Sequence, residues 1–500
     1  MKRRYFLTVL GLLLVSGCRQ RPEVLPIVDD ILTNQDSFFY LDAAAYPRND
    51  ARLPVGVFDS GTGGLTVLDA IVNFDGHDNG SHTSGSDGIS DFQSEYFLYL
   101  GDQANMPYGN YSRENKLDLL QEHIIKDAQF LLGNKYYRAM AATEPATDKE
   151  PVKAIVIACN TATAYGKDVI EDFIARAGLE LKIIGVIDAG VRAALDGFDQ
   201  QNGGAVAVMA TAGTVSSQGY VKALQQQWQA QGFAGEPIVF QQAGIGLAGA
   251  IDGSPEFIDP TADSPRTEYK GPAFDHPDAF LDPTILPRYG FDWSGGALLF
   301  EGTIDNPTRI QINSVPNYIA YHLVTLLEQV RRNGQSEPLK SIILGCTHYP
   351  FYTDLIRQNL ARLYEYRENG EHVYRPFMAA EIDLIDPARN TAAELYAYLD
   401  EQQLFNQSSI SHSEFYISVP NTANPKILVD QSGNFTYDYK YGRLAGQIQQ
   451  YVLRVPFSRQ TIPADVAQRL KTGIPGTWEL IEGFNRGNPK LAGAAVEYLF

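Results

Sequence analysis

Lys153-Ala-Ile-Val-Ile-Ala-Cys159-Asn160-Thr161 and Lys340-Ser-Ile-Ile-Leu-Gly-Cys346-Thr347-His348 are two versions of one pattern. Each is a lysine, an apolar run with β-branched residues, a small residue, then a cysteine followed by polar side chains. Apolar runs of this length, bounded by polar residues, suit strands buried on both faces of a parallel sheet. A cysteine at the end of such a strand stands where open α/β sheets bind ligands. The two cysteines are therefore expected to face each other across one site.

Around these strands the chain repeats a plan. Val55-Gly-Val-Phe-Asp59-Ser60-Gly61-Thr62-Gly63-Gly64-Leu65 reads as strand, Gly-rich turn and helix. Such a turn can cradle an anion with backbone N–H groups. It lacks the G-x-G-x-x-G spacing, so a dinucleotide cofactor is not implied. Ala205-Val-Ala-Val-Met-Ala-Thr211-Ala-Gly213-Thr214 starts the plan again. Further strands are expected at 95–100, 183–187, 379–385 and 415–419, and helices over 112–132, 170–177, 390–400 and 441–451. Residues 76–90 read as a surface insertion. Strands alternating with helices favour mostly parallel sheets. The expected fold class is α/β: two pseudo-symmetric domains with mostly parallel sheets, the active site at the domain interface, plus inserted segments. The expected domains are 54–203 and 204–400, the second carrying an insertion at about 253–316 with an extra β hairpin. Residues 401–500 are a C-terminal segment partly returning to the core.

Composition bounds the function. The 500 residues carry a net charge of −19. Nucleic acid is not an expected partner, since binding phosphates needs a basic patch. Three cysteines make no disulfide scaffold. The histidines and cysteines show no metal-ligand spacing, so no metal is implied. The N-terminus joins Met1-Lys-Arg-Arg to an apolar run and then Ser16-Gly17-Cys18. A basic start, a short apolar run and small residues before a cut form a secretory signal. Leu14-Val15-Ser16-Gly17-Cys18 resembles a bacterial lipobox, which implies cleavage before Cys18 and lipid on its sulfur. Residues 1–18 are then a lipoprotein signal peptide and 19–50 a tether. The protein would be exported and lipid-anchored on the periplasmic or cell-surface side of a bacterial membrane.

A base and an acid facing each other across one site can remove a proton from one face of a carbon and deliver another to the opposite face. Two groups on opposite sides do this without moving. Thiols suit the task, because an ordinary pKa of about 8.5 can be tuned toward the operating pH by nearby charge.

Several motifs resemble the glutamate racemases of the Asp/Glu racemase superfamily. They are Asp59-Ser60-Gly61 with Gly63-Gly64-Leu65-Thr66-Val67, Pro107-Tyr108-Gly109, Ala158-Cys159-Asn160-Thr161-Ala162-Thr163, Gly185-Val186-Ile187 and Gly345-Cys346-Thr347-His348-Tyr349-Pro350. They occur in the family's order from about 55 to 451. The resemblance implies a cofactor-independent racemase of a small acidic amino acid, with Cys159 and Cys346 as the two acid/base groups. It implies that Asp59 assists Cys159, and that His348 assists Cys346 with Asp252 behind it. By the same resemblance Ser60, Asn160, Thr161, Thr211 and Thr347 hold the α-amino and α-carboxylate groups. Tyr108 and Gly109, with Pro107 in the same turn, bind the side-chain carboxylate. The chain departs from the family at Gln103-Ala104-Asn105, where members usually carry Thr-Ala-Arg, and at Asp188 and Asp252, where they usually carry Glu. A homodimer is left open. So are two other functions: an exported binding protein for amino acids or peptidoglycan fragments with little turnover, and another reaction at an acidic α-carbon.

Overall fold

A computed structural model describes residues 24–500 except 199–202, 252, 254, 335–336, 347, 432, 487 and 492–497. The signal segment with Cys18, and also Asp252 and Thr347, lie outside the described residues.

Fourteen strands occur among the described residues. In the first half β1 is Val55–Asp59, β2 Phe97–Gly101, β3 Ala154–Ile157 and β4 Lys182–Gly185. In the second half β5 is Ala205–Ala210, β6 Ile238–Ala243, β7 Leu298–Thr303, β8 Asn306–Ile312 and β9 Leu339–Gly345. There follow β10 Arg367–Glu368, β11 Glu371–His372, β12 Met378–Ile385, β13 Glu414–Pro420 and β14 Val452–Pro456.

The larger sheet runs β14-β13-β2-β1-β3-β4. Its strands are parallel except at the β13–β14 edge pair. The second sheet runs β12-β9-β5-β6 and is wholly parallel. The fold is thus α/β with mostly parallel sheets. β1, β3, β5 and β9 are continuous apolar runs because helices cover both faces; every residue of β1, β3 and β5 is buried. The hairpin β7–β8 lies within 253–316 and packs Leu298, Ile310 and Ile312 against Tyr318 and Tyr321 of helix Val315–Asn333.

Four local expectations are corrected. The helix expected over 112–132 is two helices, Gly109–Arg113 and Leu117–Leu132. Asn115 between them is left-handed at φ 55°, a conformation that Asn tolerates. The strand expected at 183–187 stops at Gly185, and helix Val186–Asp196 starts at once. Val186, Ile187, Gly190, Val191, Ala194 and Leu195 are buried at helical spacing, and that face decides the element. The helix expected over 441–451 is only Tyr437–Gly442. Gly446 is left-handed at φ 82°, and the chain leaves helix before pairing as β14.

The fourth correction concerns the tether at 19–50. Helix Pro26–Thr33 buries Ile27, Val28 and Ile31, three positions on one helical face. Phe39, Leu41 and Tyr46 follow into the same core, and Tyr46 Oη donates to the Val152 carbonyl at 2.6 Å. The apolar residues among polar neighbours are a packed face, not a solvated linker. Ile31→Ala should therefore lower the free energy of unfolding by about 2–4 kcal/mol, as for other buried Ile truncations. Urea denaturation followed by circular dichroism checks this; a solvated tether would show no change.

Candidate active site

Strand register brings the key side chains to one end of each sheet. In the first, Phe58 pairs with Ile157, so the next residues, Asp59 and Ala158-Cys159, leave the sheet side by side. In the second, Ala210 pairs with Gly345, so Thr211 and Cys346 leave it together. Between these ends lies a cavity of about 210 Å³. Its lining includes Ala158 and Asn160 from one cysteine motif and Gly345 and Cys346 from the other, with Tyr220 and Asp386. Tyr220 Oη donates to Asn160 Oδ1 at 3.2 Å and joins the two halves. A larger cavity, about 1060 Å³, is lined by Arg52, Tyr96, Asn406 and His412 near the opposite ends of β2 and β13 and includes no expected site residue.

Cys159 is the N-cap of helix Asn160–Arg176, and its Sγ accepts from the Ala162 N–H at 3.4 Å. The thiol lies 3.7 Å from Ser60 Oγ, which accepts from it. A helix N-terminus alone would favour thiolate. Here burial dominates, the Asp59 charge adds to it, and the thiol is pushed up to about 12. Asp59 is 8% exposed. Burial also raises its carboxyl, opposed by bonds from the Gly64, Gly61 and Ser60 N–H groups; the Gly61 bond is 2.9 Å. Gly64 is required here: a Cβ on it would lie 2.4 Å from the Asp59 Cβ.

Cys346 is also buried, with Sγ 3.5 Å from His348 Nδ1. The buried Tyr349 hydroxyl is pushed far above its ordinary value by burial and then by Cys346 beside it. Thr211 is differently engaged: its Oγ1 caps helix Ala212–Ser217, accepting from Thr214 N–H at 3.3 Å. Asp188 faces Lys167 at 4.0 Å, away from the two thiols' hydrogen bonds. Among the described residues no group of three or more His, Cys, Asp or Glu side chains is placed to hold a metal ion.

The Pro107-Tyr108-Gly109 turn holds a group that the motif alone did not reveal. Tyr108 is buried, and its hydroxyl meets Asp102 Oδ2 at 2.6 Å and Asp127 Oδ2 at 2.7 Å. The hydroxyl therefore points into the core. It carries one hydrogen, so the second bond needs a hydrogen from a carboxyl. Asp127 supplies it: burial, then the Asp102 charge, holds its carboxyl well above the usual range. Arg454 Nη2 donates to the other Asp127 oxygen at 3.0 Å. Ser418 Oγ donates to Asp102 at 2.6 Å. Sequence reading missed Asp102, Asp127, Arg454 and Ser418. One local signal exists: Glu122, His123, Lys126 and Asp127 form a polar stripe at helical spacing within a helix that is otherwise largely apolar and buried. Asp386 was also missed as a cavity residue. It reads in sequence only as the N-cap before Pro387, and its Oδ1 does accept from Ala388 N–H at 2.9 Å.

Two outcomes follow from these electrostatics. A carboxyl raised in the folded state adds most stability below about pH 4, and that contribution falls as pH rises toward the folded-state pKa. Asp127→Asn removes the titration and keeps a donor for Tyr108. It should flatten the decline of stability with pH and match or exceed the wild type at pH 8, read by urea titrations from pH 4 to 8. Cys159 should resist iodoacetamide at pH 7–8 and react faster at more alkaline pH. Asp59→Asn should move that rise to lower pH, because one cause of the raised pKa is gone.

The chain is similar to curated glutamate racemases. It is 35% identical over 172 residues to that of Lactobacillus johnsonii, a match spanning 34% of this chain and 48% of the relative. It is 24% identical over 360 residues to that of Oceanobacillus iheyensis, spanning 71% and 82%. The chain thus spans about half the length of the first relative and more of the second. Among solved structures, a glutamate racemase isoform from Bacillus anthracis aligns with TM-score 0.40 and 21% identity, over 73% of this chain and 86% of that one. The glutamate racemase of Francisella tularensis in complex with D-glutamate aligns with TM-score 0.37 and 19% identity, over 79% and 95%. No family model matches the chain.

Proposed function

As a relative of the glutamate racemases in the Asp/Glu racemase family, this chain is, we propose, an amino-acid racemase that interconverts L- and D-glutamate or a similar acidic amino acid without a cofactor. The observation that carries this reading is the paired register, Asp59 with Cys159 and Thr211 with Cys346 at the ends of two parallel sheets, with a cavity lined by Cys346 and by Ala158 and Asn160 on either side of Cys159.

In this mechanism one sulfur, as thiolate, takes the α-proton from one face of Cα, and the other, as thiol, delivers a proton to the opposite face. The roles exchange with direction. When Cys159 is the base, Asp59 beside it takes its thiol proton and Cys346 stays a thiol; in the reverse direction His348 takes the Cys346 proton and Cys159 stays the thiol. Burial raises Asp59, which makes it a better base than an exposed carboxylate. A substrate ammonium entering between the halves favours the charged forms of Asp59 and Cys159. The Asn160 side chain, beside Cys159 and in the cavity lining, is the proposed donor to the α-carboxylate and the developing carbanion.

The second reading is a binding protein of the same fold. The specific observation favouring it is Cys159 itself, its thiol pushed up to about 12 by burial and then by the Asp59 charge.

The exported, lipid-anchored location is part of the proposal and rests on the lipobox-like stretch at Cys18. Val24 and Leu25 already pack against the core. The body would then sit within about 20 Å of the lipid, the reach of about six extended residues. Among the described residues no helix is long and apolar enough to cross a membrane.

The test is α-proton exchange in D₂O, using the full chain in mild detergent and kept reduced. Exchange and loss of optical rotation with L- or D-glutamate are expected, with aspartate as comparison. Cys159→Ala and Cys346→Ala should each reduce racemisation by about 10³-fold or more, as when a group acting only in the transition state is removed. Binding of acidic amino acids without exchange would establish the second reading instead.

A further inference from the structure

We propose that Arg443, carried on the C-terminal segment, is a positioning residue for the 103–110 turn and thereby sets how the site accepts the substrate side chain. Its kinetic consequence rests on the racemase reading; the geometry does not.

The turn is gripped from two sides. On the inner side, Asp102 accepts both bonds of the Asn105 amide, at 2.9 and 3.1 Å, and the Tyr108 hydroxyl at 2.6 Å. On the outer side, residues 436–446 supply one partner after another. Arg443 Nη2 donates to Asn105 Oδ1 at 2.9 Å. Lys440 Nζ donates to the Met106 carbonyl. Tyr441 Oη donates to the Pro107 carbonyl at 3.4 Å and accepts from Asn110 Nδ2 at 3.1 Å. Lys116 Nζ returns a bond to the Arg443 carbonyl at 3.1 Å and closes the grip. These contacts join positions more than 320 residues apart in the chain.

Arg443 is the buried cation of this set, 7% exposed. Its guanidinium lies 4.2 Å from the Tyr451 ring centroid and 5.0 Å from those of Phe435 and Tyr439. Three aromatic faces thus stabilise and immobilise a cation that has left water. Asn105 is 2% exposed and acts as a relay. Its oxygen takes Arg443 and its amide hydrogens go to Asp102, so the amide has one orientation. The Asp102 N–H donates to the Asp59 carbonyl at 2.8 Å. A displaced Asn105 is therefore felt both in the Pro107–Gly109 turn and at the end of β1, where Asp59 stands. Without Arg443 the buried Asn105 oxygen has no bond, and a buried unpaired acceptor drives local rearrangement. Neither Arg443 nor the 103–110 turn lines the cavity beside Cys346; the turn meets the site at Gly61, where Met106 Sδ and Gln103 Oε1 would lie 2.8 and 2.9 Å from a Cβ, so Arg443 acts through the turn and not on substrate.

The experiment uses the full chain with Arg443→Met and Arg443→Lys. It measures kcat and KM for glutamate and aspartate, together with hydrogen–deuterium exchange of 103–113 and of β3. In Arg443→Met, KM for glutamate should rise at least about tenfold while kcat stays within about threefold, the signature of lost uniform binding. Exchange should quicken in 103–113 and not in β3. Arg443→Lys, which still donates to Asn105, should recover most of both. An unchanged KM in folded Arg443→Met overturns the proposal. So does a joint fall of kcat and kcat/KM with faster exchange throughout, which would make Arg443 a general stabiliser. If the wild type neither turns over nor binds an acidic amino acid, the racemase reading fails, and exchange alone decides. Loosening confined to 103–113 and reversed by Lys then sustains the positioning role; unaltered exchange there sinks it.

Discussion

The site depends on where two pairs of parallel strands stop. Phe58 lies beside Ile157, and Ala210 beside Gly345, so four chain segments turn out of two sheets at matched levels. Strand side chains alternate, and a slip of one residue would send Asp59 to the opposite face. Tight approach keeps the register legible in the turns. Gly101 has the Gly61 carbonyl 2.5 Å from where a Cβ would sit, and Gly64 abuts Asp59 and Ala158. Ala154–Ile157 and Ile342–Gly345, the stretches that lead to the two cysteines, are apolar throughout, which places the polarity of the site at its mouth.

A second layer of polar groups lies under the 103–110 turn and is almost wholly buried. Asp102, Asn105, Glu122, Lys126, Asp127, Arg443 and Arg454 are each less than a tenth exposed. Charges taken from water cost several kcal/mol each unless paired and hydrogen-bonded. Here Lys126 is paired with Glu122 at 2.6 Å, and Arg454 donates to the raised Asp127 carboxyl at 3.0 Å. The partners come from β13, β14 and the segment between them, which extend the first sheet beyond β2. The chain after 413 therefore completes the floor of the turn as well as the edge of the sheet. That both Asp127 and Asp102 meet one Tyr108 hydroxyl makes the layer a single protonic unit.

The electrostatics around Cys159 oppose its position. The helix it caps favours a thiolate, whereas burial and the neighbouring Asp59 favour the thiol, and burial wins. A buried carboxyl and a buried thiol side by side stabilise the charged forms only when a cation joins them. An α-ammonium group is such a cation.

Much of this protein was legible in its residues. Continuous apolar runs ending in Asp59, Cys159, Thr211 and Cys346 carried the strands, the repeat and the α/β class, because strands covered on both faces must be apolar throughout. The hairpin within 253–316 followed from short-range chemistry in the same way. What periodicity could not reach was decided by contacts between distant segments. Ile27, Val28 and Ile31 read as part of a polar leader until a core was there to receive them. The run 441–451 had helical composition, but pairing with β13 drew Val452 into a strand and Gly446 let the chain turn. Tyr108 read as a substrate group, yet its hydroxyl bonds Asp127, and the Asp102 that it also meets takes Ser418 from the far end of the chain. Local residue types determined which elements form and which chemistry they carry. Only the tertiary structure decided which buried polar groups find partners, because a desolvated donor or acceptor is satisfied by whatever the fold brings within hydrogen-bond distance, however remote in sequence.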